Sequence, residues 1–148
     1  QQVVPQQRPL KPTLGSFIVS GTEDEWFMAP ANYERYAAIM LLIRNTDPRA
    51  PAALYHRFRP LFQQAYEELG YPSRSFQQRL IQVIDHLLTT PEVSDPIALV
   101  QPRVMYQYAD PELEKLSAGQ KLLLRMGREN AAVIKGKLRE LRAEISQY

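Results

Sequence analysis

Pro91-Glu-Val-Ser-Asp-Pro-Ile-Ala-Leu-Val-Gln-Pro-Arg-Val-Met-Tyr-Gln-Tyr108 is the stretch on which the architecture turns. Pro91, Pro96 and Pro102 each lack a backbone donor and push the preceding residue out of helical conformation, so no long helix crosses this segment. Val100, Val104, Tyr106 and Tyr108 alternate with Gln101, Arg103, Met105 and Gln107, which reads as a strand over 103–108. Near the other end of the chain, Phe17-Ile18-Val19 lies between Gly15 and Gly21 and reads as a second short strand, a candidate mate for 103–108. A two-stranded pair persists only when helices pack on it.

The remaining periodic segments are helical. Tyr33, Tyr36, Ala37, Met40 and Leu41 follow helical spacing within 30–45. Asp47-Pro48 opens a second helix over 48–69, with Leu54, Phe58, Leu61, Phe62, Ala65 and Leu69 on one face and Gly70 as its stop. Pro60 is expected to kink this helix or split it near Arg59. Ser75-x-x-Gln78 is a capping box before the stripe Phe76, Leu80, Val83, Ile84, Leu87. Asp110-Pro111-Glu112 and a second box, Ser117-x-x-Gln120, start further helical segments that end at Gly127. The last helix is expected over 128–146, with Ile134, Leu138, Leu141 and Ile145 on one side. Gly136 interrupts it and is read as a place of close helix–helix approach. Together these readings predict a mainly α fold, a single domain over 15–148 with five or six helices at mixed angles and at most two short β-strands. A regular up-and-down bundle does not accommodate the proline-broken 90–110 segment.

The chain has 148 residues, is 45% hydrophobic and 23% charged, and carries a net charge of +2, too small to argue for nucleic acid. With no cysteine, disulfides, thiolate metal sites and a cysteine nucleophile are excluded. Two histidines, His56 and His86, leave little for zinc, and no metal or cofactor is expected. The longest apolar run, 37–43, is far too short to span a bilayer. A start at Gln1-Gln2 rather than Met reads as a piece excised from a longer protein. Residues 1–14, with Pro5, Pro9 and Pro12, read as a proline-rich linker or arm. The spacing Pro9-x-x-Pro12 also fits a ligand for a proline-recognising module.

Candidate chemistry is sparse. The six glycines are scattered, so no phosphate-cradling loop exists, and neither a nucleophile elbow nor a paired-His metal motif is present. No catalytic residue is therefore assigned. Trp26-Phe27-Met28, after the acidic loop 22–25, reads as a plug against the core or a ligand platform. Lys135, Lys137, Arg139 and Arg142 read as a solvated basic face or a phosphate contact. Asp85-His86 is the one acid–imidazole pair. It reads as a structural hydrogen-bonding pair, or as part of a small hydrolase-like enzyme if a hydroxyl is brought to it. Among eight tyrosines, Tyr66 and Tyr71 join two helices beside Arg74 and Arg79, and either line a groove or pack the corner. Tyr66, Tyr71, Arg74, Arg79 and His86 are the candidate binding residues. The stripe of the last helix offers a homo-oligomer seam or a core face, so monomer and weak homodimer are both expected states.

Four stretches carry a family resemblance: Pro60-Leu-Phe-Gln-Gln-Ala-Tyr-Glu-Glu-Leu-Gly-Tyr-Pro72, Arg79-Leu-Ile-Gln-Val-Ile-Asp-His-Leu-Leu88, Leu99-Val-Gln-Pro102, and Ala109-Asp-Pro-Glu-Leu-Glu-Lys-Leu-Ser-Ala-Gly-Gln-Lys-Leu-Leu-Leu-Arg-Met-Gly127. Together they resemble a bacterial family known only as a domain of unknown function, numbered 3014. The resemblance implies a membrane-anchored protein with a proline-rich linker before its globular part. It also implies a location on the periplasmic side of the inner membrane. A non-catalytic binding or scaffold module follows as the expected role, with an envelope protein or other envelope component as partner and no established catalytic residues. Where family members often show Gly-Pro-Glu-Asn, this chain has Gly127-Arg128-Glu129-Asn130. Loss of that proline leaves open a run-on helix over 121–146 with only a kink.

Overall fold

Two antiparallel hairpins, far apart in sequence, join edge to edge and carry the helices. The computed structural model describes residues 15–22 and 25–147; the arm at 1–14 lies outside the described residues. In chain order the elements are β1 (Val19–Thr22), β2 (Glu25–Met28), α1 (Ala31–Glu34), α2 (Ala37–Asn45), α3 (Arg49–Glu68), α4 (Phe76–Leu88), β3 (Ala98–Val100), β4 (Gln107–Tyr108), α5 (Pro111–Glu114), α6 (Ala118–Arg125) and α7 (Arg128–Ser146). The strands form one antiparallel sheet in the order β1-β2-β3-β4. Helices make up 59% and strands 10% of the described chain, so the fold is mixed α/β.

The expectation of a mainly α fold with at most two strands is therefore overturned. β2 is Glu25-Trp26-Phe27-Met28, where consecutive large apolar residues hide any period of two. β3 has three residues and sits between Pro96 and Pro102. Its Leu99 and Val100 pair with Tyr108 and Gln107, so the proline-rich stretch is itself a hairpin. The two strands expected to pair with each other sit at opposite edges of the sheet, with β2 and β3 between them.

The core has three neighbouring clusters. Met28, Ile97, Leu99, Tyr108 and Leu124 bind the sheet to α6. Tyr36, Met40 and Met126, with Val133 and Ile134, join α2 to α7. Ala52, Tyr55, Ile84 and Ile145, with Leu138 and Leu141, join α3 and α4 to α7. The stripe of α7 is thus a core face, which removes it as an oligomer seam. One fully buried polar side chain fastens the N-terminal strand. The Asn32 amide oxygen accepts from Ile18 N at 2.9 Å, and its nitrogen donates to Ile18 O at 2.6 Å and Ala29 O at 2.8 Å.

Capping fixes several helix starts as expected. Ser75 Oγ accepts from Gln78 N, Asp110 accepts from Glu112 N, and Ser117 with Gln120 forms a complete reciprocal box. Gly127 separates α6 from α7 with φ +87°, so the two helices do not run on. The expected 30–45 helix divides into α1 and α2 at Arg35-Tyr36. Pro60 does not split α3, which continues to Glu68.

The apolar stripe of α3 faces outward; its buried residues are Ala52 and Tyr55. Two side-chain expectations are corrected. The basic residues of α7 are mostly engaged: Lys135 is buried and donates to Thr90 O, Lys137 donates to Thr46 O at 2.9 Å, and Arg142 pairs with Asp85. Long basic stems cover apolar surface while their heads find acceptors. Gly136 has nothing within 4 Å of the place a Cβ would occupy, so it marks no close approach. Gly136→Ala should therefore raise stability by about 0.5–1 kcal/mol through helix propensity alone. Denaturant unfolding checks this, and a loss of stability would place a neighbour there.

Candidate functional site

The α3–α4 corner is built by a short sequence. Leu69 closes α3, Gly70 reverses the chain at φ +100°, and Ser75 opens α4. Gln63 locks the turn. Its amide nitrogen donates to Arg74 O at 3.0 Å, and its oxygen accepts from Phe76 N at 2.9 Å. With the corner held, Tyr66 and Tyr71 stack with ring centroids 4.7 Å apart and planes 16° from parallel. Tyr66 also meets Phe76 edge-on at 5.7 Å. The Arg74 guanidinium lies 5.7 Å from the Tyr71 ring centroid, a cation–π distance.

An open cleft of about 500 Å³ borders these rings. Tyr66, Tyr71, Ser73, Arg74, Gln78 and Arg79 line it, and no carboxylate does. Four of the five candidate binding residues therefore surround one cleft. Ser73 and Gln82 are not singled out by the sequence, and Gln78 is read there only as a member of the Ser75 capping box. Gln82 lies three residues from Arg79 and four from Gln78 along α4, and that helical spacing is the signal that finds it. Aromatic faces beside two guanidiniums suit a ligand with an anionic group and a flat or sugar-like face.

His86, the fifth candidate, is elsewhere. It is exposed near the end of α4, with Nε2 2.8 Å from Ser117 Oγ. That hydroxyl already accepts from Gln120 N, while Gln120 donates to His86 O at 3.2 Å. The contact is part of a knot tying the end of α4 to the start of α6. Asp85 is engaged with Arg142 of α7, whose hydrogen bonds hold its carboxyl below the ordinary range. Asp85 thus does not orient His86, and the arrangement lacks the linked acid–base–hydroxyl order that nucleophilic catalysis needs.

A second, enclosed cavity under the sheet end holds only about 20 Å³, room for roughly one water. Tyr33, Asp95 and Lys135 line it. Tyr33 donates to Asp95, and burial together with that bond raises the phenol well above its usual range. This polar group is too confined for a substrate. Among the described residues no three His, Asp or Glu cluster to hold a metal ion, and no helix is long and apolar enough to cross a membrane.

Comparison with known proteins places the chain once. The model of a family described as a protein of unknown function (DUF3014) matches residues 1–142. No curated protein matches, and no solved structure matches.

Proposed function

The chain belongs to this family of unknown function, and from the geometry of the α3–α4 cleft we propose that it is a non-catalytic binding or scaffold module of the bacterial cell envelope. The observation that carries the proposal is the cleft itself: stacked tyrosines and two guanidiniums with no acid in the lining. Tyr and Arg are the side chains that most often dominate binding energy at interfaces. The partner is an envelope protein or other envelope component presenting an acidic group. The periplasmic side of the inner membrane, with an anchor preceding the proline-rich arm, belongs to the same proposal and is supported by the family resemblance.

Crosslinking of the full-length protein in its native envelope tests this. Tyr71→Ala and Arg79→Glu should each reduce capture of the partner by about tenfold, the loss of one good anchor. Both side chains are exposed, so melting should be unchanged. His86→Ala, outside the cleft, should capture as the parent does. Capture that ignores both cleft variants, or no capture at all, sinks the proposal.

A further inference from the structure

A second surface stands apart from the cleft. α3 turns Leu54, Phe58, Leu61 and Leu69 outward with Phe62, each between 38% and 75% exposed, and with exposed Ala65 among them; the Phe62 ring keeps one face stacked on Tyr55 and Phe76 at the edge of the core. Single exposed apolar side chains are ordinary on monomers, but an aligned patch of this kind marks a contact surface. At 100° per residue these six positions fall within one arc of about 100°. The core face, through Ala52 and Tyr55, lies beyond its edge.

The stripe is also symmetric. Its steps are 4, 3, 1, 3 and 4 residues, a series that reads the same from either end. A twofold axis crossing α3 between Leu61 and Phe62 brings Leu54 onto Leu69 of a second copy and Phe58 onto Ala65, a large side chain against a small one. Such self-complementarity is what an isologous interface requires. Charge agrees with it. Arg57 and Arg59 lie in the first half of the stripe and Glu67 and Glu68 in the second. Arg57 and Glu68 border the same edge, so antiparallel pairing sets them within reach of each other across the interface. Parallel pairing would set like charge on like.

We propose that this face joins two copies of the chain, packed antiparallel through α3 about an axis at Leu61–Phe62. Sedimentation of the full chain across micromolar to millimolar concentrations should show a reversible dimer. Leu61→Glu should be monomeric with unchanged helix content and melting. Arg57→Glu should weaken the dimer, and adding Glu68→Arg should restore it. The chain has no cysteine, so single thiols report the register. A bifunctional thiol crosslinker should join Leu61→Cys to itself. It should join Leu54→Cys to Leu69→Cys in mixtures, with little joining of Leu54→Cys to itself. A chain that stays monomeric throughout, or Leu54→Cys that crosslinks mainly to itself, overturns the proposal. So does a dimer unchanged by Leu61→Glu and by the charge reversal.

Discussion

Gly127→Ala should lower the stability of the domain by about 3–5 kcal/mol, combining a disallowed backbone with an overfilled corner. Gly127 sits at φ +87° and ψ 156°, a conformation essentially reserved for glycine. A Cβ there would also come within 2.8–3.0 Å of the Tyr33 ring. The two terms separate experimentally. In a Tyr33→Ala background the clash is absent and only the backbone cost of about 1–3 kcal/mol remains. Urea unfolding of the four proteins measures both. A change below about 1 kcal/mol for Gly127→Ala in the parent would mean that the α6–α7 corner is not the one described.

Asn32→Asp should be nearly as damaging, at about 2–4 kcal/mol, although it replaces one atom with another of similar size. The Asn32 nitrogen donates to two carbonyl oxygens, Ile18 O and Ala29 O. A carboxylate would point an unpaired negative oxygen at both, in a position 1% exposed. Asn32→Ala removes all three bonds and leaves a void, with a cost of about 2–3 kcal/mol. Thermal melting gives the totals. Amide exchange at Ile18 gives the location, because its N–H loses the Asn32 oxygen in the alanine variant and keeps a carboxylate oxygen in the aspartate variant. Equal stability of the aspartate variant would invert the amide orientation described here.

The parts of the molecule visible in sequence are those set by local chemistry. The last helix, expected over 128–146, runs Arg128–Ser146, and Ser117 with Gln120 forms the expected box at the start of α6, because capping involves neighbours within one turn. The cleft gathers Tyr66, Tyr71, Arg74 and Arg79, which share one corner of 14 consecutive positions, 66–79. His86 was grouped with them, yet seven residues along α4 displace it by roughly 10 Å. Half of the sheet, β2 and β3, stays hidden in the sequence because strands of four and three residues are too short for a period of two to register. The direction of the α3 stripe is illegible for a different reason. Its larger apolar stripe faces out and a smaller one, Ala52 and Tyr55, faces in, so hydrophobicity alone picks the wrong side. Lys135 reads from the sequence as solvated or phosphate-facing, since no sequence pattern announces that Thr90 O will receive it.

α7 packs against α2, α3, α4 and α6, and that position bears on how the protein is made. Synthesis proceeds from the N-terminus, so every helix that leans on α7 leaves the ribosome before its support does. The earlier helices then hold Ala52, Tyr55 and Ile84 without the Ile145 that completes their cluster. Until that residue emerges, the nascent chain presents open apolar surface, the condition under which chaperones and proteases compete for it. The sheet cluster under α6 needs nothing from α7, so the order of synthesis leaves one end of the molecule able to close early and the helical end waiting for its last residues.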